Sequence, residues 1–357
     1  MKGLILAGGT GSRLRPITHT GPKQLIPIAN KPNILYAVDD LKAAGIIDIG
    51  VILGTNMPDR VRALLGDGKA HGVRFTYIDQ GEPKGIAHAI GCARRFIADD
   101  AVAVYLGDNV LKGGIKEIVG KYAPGKVDAV LGLCKVPNPG AFGVAIVDKK
   151  GNLKETVEKP KTPPSQLAVI GVYVFTPSVF PIIDRLKPSG RGELEITEAI
   201  NGLLEEGRIV KTHVVTGWWK DTGRPEDILE ANHLVLDDLE RKLEGDVAEG
   251  ADIRGKVHLA RGAKIEAGAV VRGPCIIGED ARIGNGSYIG PYTSIGPRVV
   301  VEGAEIENSI ILEGTRITGR RRITESLIGA HSEILDGGDR TPRGHRFIVG
   351  ENTQIRL

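Results

Sequence analysis

The sequence predicts an α/β domain with a mostly parallel sheet, followed by a parallel β-helix of hexapeptide repeats. Over residues 1–235, short apolar runs alternate with helical patterns, which indicates βαβ units with helices on both faces of the sheet. From Val247 onward, branched apolar residues recur every six positions, a period that neither a helix nor an ordinary sheet has. We therefore expect two domains, residues 1–235 and residues 236–357, the second with a linker helix and a C-terminal tail.

Five short apolar runs in the first part of the chain predict strands. They span residues 4–7, 49–53, 73–78, 101–106 and 129–134. Between the first two runs a helix is predicted over residues 34–44, with Asn33 as its N-cap and Gly45 as its terminator. Another helix begins at Pro58, since proline is favoured at the first helical position. Ligands of such sheets bind at the carboxyl ends of the strands, so polar motifs that follow strands are the functional candidates.

The second part of the chain is defined by its period of six. The branched residues that keep this spacing, and that we expect to point into one interior, are Val247, Ile253, Leu259, Ile265, Val271, Ile277, Ile283, Ile289, Ile295 and Val301. The phase slips after Val301 and resumes at Ile311. A triangular coil with one hexapeptide per side produces this spacing. The pattern resembles the left-handed β-helix of the hexapeptide-repeat proteins, and residues 227–243 are predicted to form the helix that leads into it.

Composition and charge argue against several classes of function. The 357-residue chain has a formal net charge of +3, which gives no support for a nucleic-acid partner. Its three cysteines, Cys92, Cys134 and Cys275, lie far apart in apolar surroundings, so reduced core thiols are favoured over a zinc site or a disulfide scaffold. The apolar start at residues 3–7 is too short for a signal sequence, and no apolar run is long enough to span a membrane. We expect a cytoplasmic protein with no membrane partner.

A glycine-rich turn follows the first predicted strand. Residues 8–13 read GGTGSR, and glycines in this position let backbone N–H groups approach the oxygens of a phosphate closely. The turn lacks the Gly-Lys-Ser/Thr of a Walker A loop and the last glycine of the dinucleotide-binding fingerprint. Three cations, Arg13, Arg15 and Lys23, follow it, and Lys23 lies in the segment PKQLIP. Arginine and lysine beside a glycine turn are suited to a triphosphate or a pyrophosphate.

These motifs resemble those of the sugar nucleotidyltransferases, whose N-terminal pattern is GGxGxRL…P-K. The KQL variant, residues 23–25, is most similar to the glucose-1-phosphate thymidylyltransferases, and with the β-helix the resemblance to their long form covers nearly the whole chain. It implies a Rossmann-like nucleotidyltransferase domain that joins dTTP, or UTP, to a sugar 1-phosphate, most simply glucose 1-phosphate, with Mg²⁺ as cofactor. A homo-oligomer is expected, since hexapeptide helices often trimerise.

Two further motifs follow strands. Gln80, in QGEPKGIAHA, offers an amide donor and an acceptor together, which suits the imide edge of thymine or uracil, and Gly85 permits close approach of the backbone. Asp108 ends the fourth predicted strand, where a carboxylate is well placed to hold Mg²⁺. Asp221, in WWKDTG, is the second expected metal ligand.

The resemblance assigns the remaining roles. The nucleotide is expected to contact Leu6, Gly8, Gly9, Gly11, Ser12, Arg13, Lys23, Gln24, Gln80 and Gly85. The sugar phosphate is expected to contact Asn109, Gly143, Glu158, Lys159, Val169 and Arg191. Arg13, Lys23 and Asp108 are the expected catalytic residues, and Asp108 and Asp221 the metal ligands. For Arg191 an alternative is a plain helix N-terminus with acidic residues favoured by the dipole.

Two other functions are considered. Many hexapeptide-repeat proteins are acyltransferases with a catalytic histidine, and His258, His331 and His345 are available, although no surrounding pattern marks any of them. A non-catalytic binding protein would be expected to lose its loop cations or metal carboxylates, whereas this chain keeps both.

Overall fold

The computed structural model describes residues 1–149, 151–336 and 352–353. The chain divides into two compact units. The first consists of Met1–Gly11, Thr20–Leu25 and Asn33–Asp221, and the second of Ser12–His19, Ile26–Pro32 and Thr222–Leu357. Two short N-terminal segments therefore group with the C-terminal part of the chain.

The first unit is built on a nine-stranded mixed sheet. Its strands are β1 (Lys2–Ala7), β2 (Asp48–Leu53), β3 (Arg74–Asp79), β4 (Val102–Leu106), β5 (Ala129–Lys135), β6 (Gly143–Val147), β7 (Leu153–Glu158), β8 (Leu167–Phe175) and β9 (Val210–Val214). Four neighbours, in the order β4-β1-β2-β3, run parallel, and β8 lies antiparallel to β4, β5 and β6. All five predicted strands are confirmed to within two residues.

Both faces of this sheet are buried. Successive side chains of β1 pack into two different hydrophobic clusters, Leu4 and Leu6 into one and Ile5 and Ala7 into the other. A strand buried on both faces gives a continuous apolar run rather than an alternating one, which is the pattern found in the sequence. Helices cover the faces: α1 (Ile34–Ala43), α2 (Pro58–Leu65), α3 (Ile86–Cys92), α4 (Arg94–Ile97), α5 (Lys116–Gly120), α6 (Val179–Arg185) and α7 (Ile196–Glu205).

The helix boundaries test the predicted caps. Pro58 is the first residue of α2, and Gly45 follows α1 with a φ of 80°, as expected. Asn33 is not an N-cap of the predicted kind, because its side chain makes no capping hydrogen bond. Its backbone is already helical, with φ −53° and ψ −44°, and its carbonyl accepts the N–H of Tyr36.

A two-stranded ladder completes the first unit. Asn109–Leu111 pairs antiparallel with Trp219–Asp221, and the register places Asp221 opposite Asn109. Because Asn109 follows directly on Asp108 after β4, the ladder carries the distant Asp221 to the carboxyl edge of the parallel strands. The sites expected at strand ends therefore meet at one edge of the sheet.

The second unit contains α8 (Pro225–Asp237) and a β-helix of three parallel sheets. Face 1 is formed by Lys242–Leu243, Val257–Leu259, Cys275–Ile277, Thr293–Ile295, Ile310–Ile311 and Leu327–Ile328. Face 2 is formed by Asp246–Val247, Lys264–Ile265, Arg282–Ile283, Val300–Glu302, Arg316–Thr318 and Glu333–Ile334. Face 3 is formed by Asp252–Arg254, Val270–Arg272, Tyr288–Ile289, Glu305–Glu307 and Arg322–Thr324.

The pairing register confirms the period of six. Ile265 pairs with Ile283, and Ile283 with Val301, so one coil takes 18 residues, or three hexapeptides. This is the arrangement expected of a left-handed β-helix. From Leu259 to Ile317 the branched residues are buried in one interior cluster. Val247 is an exception at 42% exposed, because it belongs to an end strand with a paired neighbour on one side only.

Three other expectations concern the chain as a whole. The predicted helix over residues 227–243 is shorter and begins earlier, at Pro225–Asp237. Cys134 and Cys275 are buried, Cys92 is half-buried, and all three are free thiols. Within the described residues, no helix combines the length and the apolar character that crossing a membrane requires.

Candidate active site

The glycine turn is shaped by polar side chains that press against it. A β-carbon on Gly8 would collide with the carboxamide oxygen of Gln80, and one on Gly9 would lie 3.3 Å from Cε and 3.8 Å from Nζ of Lys23. Gly11 has a φ of 65°, a backbone conformation that favours glycine. Because Gly8 and Gly9 have no side chains, the amide of Gln80 and the ammonium group of Lys23 can lie directly against the turn. This arrangement suits an anion bound at the turn.

Arg13 lies in the short 3₁₀ helix Ser12–Leu14, within the second unit. Ser12 and Arg13 are exposed, whereas Leu14 is buried and anchors the segment. Arg13 has no acidic partner among the described residues. Its guanidinium is therefore available to an anion.

Lys23 and Asp108 form a shielded ion pair. The Lys23 ammonium contacts Oδ2 of Asp108, and the two side chains are only 15% and 10% exposed. The other carboxylate oxygen, Oδ1, accepts a hydrogen bond of 3.1 Å from Nδ2 of Asn109. Oδ1 of Asn109 in turn accepts a bond of 2.6 Å from the indole N–H of Trp219. The indole only donates and the carboxylate only accepts, so this chain sets the orientation of the Asn109 amide.

Asp108 and Asp221 are suited to Mg²⁺. Asp221 lies across the ladder from Asn109, one residue away from Asp108, and Asp108 is largely buried at 7% exposed. Among the described residues no group of three or more histidine, cysteine or carboxylate side chains is arranged so that it could hold a metal ion by itself. Two carboxylates, with phosphate oxygens and water as the other ligands, match the usual surroundings of Mg²⁺ at phosphate-transfer sites.

The predicted base-binding residues occupy the end of β3 and the start of α3. The side-chain amide of Gln80 lies 3.2 Å from Nδ1 of His88, whose pKa is lowered by burial and by the nearby Lys84. Gly85 has a φ of 102°, and a β-carbon there would collide with the backbone of Leu194. The need for glycine at this position is therefore explained by packing within the protein.

A cavity of about 110 Å³ opens beside this network. Five of the six predicted sugar-phosphate residues line it, together with the metal candidate Asp221; the five are Asn109, Gly143, Glu158, Lys159 and Val169. The space at Gly143 depends on the absence of a side chain, because a β-carbon would lie 2.8 Å from Cγ2 of Thr197. All of the lining residues belong to the first unit.

Glu158 is the electrostatic centre of the cavity wall. Its Oε1 lies 3.0 Å from Nη1 of Arg191 and 3.9 Å from Nζ of Lys159, and its Oε2 accepts a hydrogen bond from the hydroxyl of Thr197 at 3.2 Å. Burial, with a contribution from the charge of Glu195, raises the pKa of Glu158, although the two cations and the Thr197 bond oppose the rise. A desolvated carboxylate of this kind is ready to accept hydrogen bonds from hydroxyl groups.

Arg191 does not line the cavity. Its guanidinium lies within 3.5 Å of three carboxylates, those of Glu158, Glu193 and Glu195. Of these, Glu195 is buried, at 5% exposed, and accepts a second bond of 2.7 Å from the Ser189 hydroxyl. Arg191 is thus held at the rim of the cavity by carboxylates. To bind a phosphate, its guanidinium would have to give up at least one of these ion pairs.

Besides Gly8, two predicted nucleotide residues are buried, Leu6 and Gln24. Leu6 belongs to the hydrophobic core, and its carbonyl accepts the N–H of Gly107 at 3.0 Å. Gln24 is 1% exposed, packs against Gly107, and has an Oε1 without a hydrogen-bond partner within the described part of the chain. Their side chains face the protein rather than solvent.

Sequence reasoning missed several cavity residues. Gly171, Tyr173, Ile196, Thr197 and Trp219 also line the cavity. No local pattern around Gly171 and Tyr173 differs from that of an ordinary buried strand, whereas Ile196 and Thr197 end the block RGELEIT that contains Arg191. The pKa of the Tyr173 hydroxyl is raised by burial and by the charge of Glu158. Trp219 lies within the motif WWKDTG that supplied Asp221, and this position was the signal that could have found it.

Two of the three histidines considered for acyl transfer lie within the described residues. His258 lies 3.9 Å from Glu244 at the surface, and His331 has a φ of 55° beside Gly314. His345 lies outside the described residues.

Comparison with known families agrees with this architecture. A model described as "Nucleotidyl transferase" matches residues 2–238, and one described as "GMPPB C-terminal domain" matches residues 271–356. The chain is 54% identical to the "Low-salt glycan biosynthesis nucleotidyltransferase Agl11" of Haloferax volcanii over 357 residues, which is 100% of both chains.

Two further relatives are described as thymidylyltransferases. A "Glucose-1-phosphate thymidylyltransferase" of Streptomyces griseus is 43% identical over 100% of this chain and 99% of its own. A crystal structure described as a putative glucose-1-phosphate thymidylyltransferase from Bacillus anthracis is 41% identical, with a TM-score of 0.63 over 68% of this chain and 97% of its own. With a family model over its first 238 residues and full-length relatives above 40% identity, the chain belongs to the nucleotidyl transferase family and is an enzyme of that class.

Proposed function

We propose that the enzyme transfers a thymidylyl group from dTTP to glucose 1-phosphate, giving dTDP-glucose and pyrophosphate. The observation that carries this proposal is the meeting, at one sheet edge, of the glycine turn, the Lys23–Asp108 pair and a cavity lined by Glu158 and Lys159. These are a phosphate cradle, a lysine beside it that can neutralise phosphate charge, and a small pocket with charged groups on its wall. Together they suit a nucleoside triphosphate and a sugar phosphate bound side by side.

The reaction requires one bond to form and one to break. A phosphate oxygen of the sugar 1-phosphate, already anionic at neutral pH, attacks the α-phosphorus of dTTP in line. The bond from the α-phosphorus to the bridging oxygen of the β-phosphate breaks, and pyrophosphate leaves with the electron pair. No proton has to be removed from the nucleophile, so the protein acts by positioning the groups and stabilising charge.

Cations at the glycine turn supply that charge. Lys23 lies next to Gly9, where it neutralises charge on the α-phosphate and on the departing pyrophosphate. Arg13, with an exposed guanidinium, contributes to the same task by analogy with the family motif. Gln80 presents its amide to the imide edge of the base.

Asp108 and Asp221 are the residues that would hold Mg²⁺. The ion, when bound, neutralises phosphate oxygens and orients them. In this structure Lys23 pairs with Asp108, and Asn109 orients the second carboxylate oxygen, so the ligand is arranged before substrate arrives. Mg²⁺ as the cofactor thus forms part of the proposal.

The sugar end of the pocket is assigned to the Glu158 wall. Its carboxylate accepts bonds from sugar hydroxyls, while Lys159 and Arg191 orient the sugar phosphate. Val169 lines the cavity and, by the family resemblance, contacts the sugar through its backbone, and Gly143 leaves room for the ring.

The amide of Gln80 suits both thymine and uracil, so it does not decide between them. Thymine is favoured because full-length relatives are described as thymidylyltransferases. The two bases differ by one methyl group, which a hydrophobic pocket distinguishes by only about 10-fold to 200-fold. The alternative is therefore a uridylyltransferase built on the same site.

The test is a pyrophosphate-release assay that crosses four nucleoside triphosphates with several sugar 1-phosphates. The highest kcat/KM is expected for dTTP with glucose 1-phosphate. A preference for UTP would replace the thymidylyl assignment, and no release with any pair would refute the reaction. Asp108→Ala and Arg13→Ala are expected to abolish turnover while the fold persists, and Asp100→Ala, an exposed aspartate in an ion pair with Lys2, serves as the matched control.

A further inference from the structure

Ile310 lies on the outer surface of the β-helix and is buried. In the strand Ile310–Ile311, Ile311 packs into the interior cluster, so Ile310 points outward, because neighbouring residues of a strand face opposite sides. Ile310 is nevertheless only 1% exposed. It packs in a separate cluster with Leu14, Ile26 and Ile228.

Two members of this cluster come from the signature motif. Leu14 directly follows Arg13, and Ile26 closes the KQLI sequence that begins at Lys23. Ile17, in the same N-terminal segment, packs on this cluster and has its Cδ1 3.5 Å from the position of a β-carbon on Gly329. All of the clustered residues belong to the second unit, which includes the segment that carries Arg13.

A buried asparagine on α8 adds a polar connection. Oδ1 of Asn232 accepts the N–H of Ala29 at 2.8 Å and the hydroxyl of Ser294 at 2.7 Å, and its Nδ2 donates to the carbonyl of Tyr292 at 3.1 Å. Asn30 donates to the carbonyl of Ile295 at 2.7 Å. Asn232 therefore links the hairpin at Ile26–Pro32 to face 1 of the β-helix.

These contacts need a particular backbone. Ala29 and Asn30 both have positive φ, 47° and 62°, as the two central residues of a tight hairpin turn. Alanine is unfavourable there, and the bond from its N–H to Asn232 helps to hold it. The positive φ of Ala29 is therefore explained by the contact of the hairpin with α8, and not by the conformational preference of alanine.

We propose that face 1 of the β-helix, together with α8, positions the Arg13 segment for the nucleotide. Leu14 and Ile310 are then positioning residues that act through Arg13, Asn232 holds the neighbouring hairpin on the same face, and the β-helix has a part in the reaction beyond assembly. The proposal rests on the proposed function for the role of Arg13. The support of the segment itself follows from the contacts described above.

The test compares Ile310→Ala with Ile283→Ala. Both residues are isoleucines at most 1% exposed, but Ile283 lies on face 2 inside the β-helix and has no place in the Leu14 cluster. We expect Ile310→Ala to lower kcat/KM for the nucleoside triphosphate by about 10-fold to 100-fold, since small displacements of a positioning group have effects of this size. KM for the sugar phosphate should change less than about 3-fold, and Ile310→Val should restore most of the activity.

Native-state hydrogen exchange is the second readout. Ile310→Ala should speed exchange in residues 12–19 and at the Ala29 amide, while Ile283→Ala should leave both protected. Should Ile310→Ala fail to fold, Ser294→Ala removes one bond to Asn232 and is measured in the same way. Equal losses of nucleotide kcat/KM in the two isoleucine variants, or unchanged exchange in residues 12–19, would overturn the proposal. A wild-type enzyme that released no pyrophosphate with any substrate pair would refute the proposed function, and the exchange data alone would then decide whether the β-helix supports this segment.

Discussion

The Lys23–Asp108 pair gives the sharpest test of the site. With the two side chains 15% and 10% exposed, removal of either partner leaves a charge that water reaches poorly. Breaking a buried pair in this way costs about 3–5 kcal/mol. Asp108 keeps its bond from Asn109 and some solvent contact, so we expect the low end of that range, about 3 kcal/mol, for Lys23→Met.

Removing both charges should be less damaging than the single changes suggest. The double variant, Lys23→Met with Asp108→Asn, removes both charges of this pair together, and such replacements are often close to neutral. We expect it to lose about 1 kcal/mol, so that the coupling between the two sites is at least about 2 kcal/mol in magnitude.

The measurement is urea unfolding of the four proteins of the cycle, in EDTA so that metal does not contribute. The same proteins are assayed for pyrophosphate release, where each change should reduce kcat by about 100-fold to 1000-fold as a lost electrostatic group. Additive stability losses, with coupling below about 0.5 kcal/mol, would show that the pair is not the shielded contact described here.

Three further changes test other parts of the site. Trp219→Phe removes the donor to the buried Oδ1 of Asn109, and should lower unfolding stability by about 1–3 kcal/mol and raise KM for the sugar phosphate. Glu158→Gln should also raise the KM for the sugar phosphate. Because the pKa of Glu158 is raised in the native state, the wild type should lose stability relative to this variant as pH rises from the ordinary glutamate pKa through the raised one. Parallel curves of stability against pH for the two proteins would contradict this. Gly85→Ala should cost about 1–3 kcal/mol in urea unfolding, since its φ of 102° suits glycine and a β-carbon meets Leu194.

Local patterns predicted the elements of the fold well. The apolar runs placed five strands, Pro58 placed the start of α2, and the period of six placed the coils of the β-helix. These features follow from short-range rules of backbone geometry and burial. Two local expectations were wrong. Asn33 has helical dihedrals and makes no capping hydrogen bond, and Val247 is exposed because its strand has a paired neighbour on one side only.

The site divides in the same way. The motifs showed which types of group are available for phosphate chemistry: glycines, arginines, a lysine and aspartates. Their arrangement was not: the Trp219–Asn109–Asp108 chain depends on a ladder between segments more than 100 residues apart. Around Arg191, the carboxylates of Glu193 and Glu195 are close in the sequence, but that of Glu158 is 33 residues away and reaches the guanidinium only through the tertiary fold.

By itself the sequence determined the two architectures, the chemistry that the glycine turn and its cations can perform, and the family to which the motifs point, because each of these is encoded within a few neighbouring residues or a regular repeat. Only the tertiary structure decided that Asp221 lies beside Asp108, that a cavity opens at Glu158, and that Leu14 and Ile26 pack on the β-helix. Contacts between distant residues depend on the path of the whole chain, and hydrophobic burial, which drives them, is not directional.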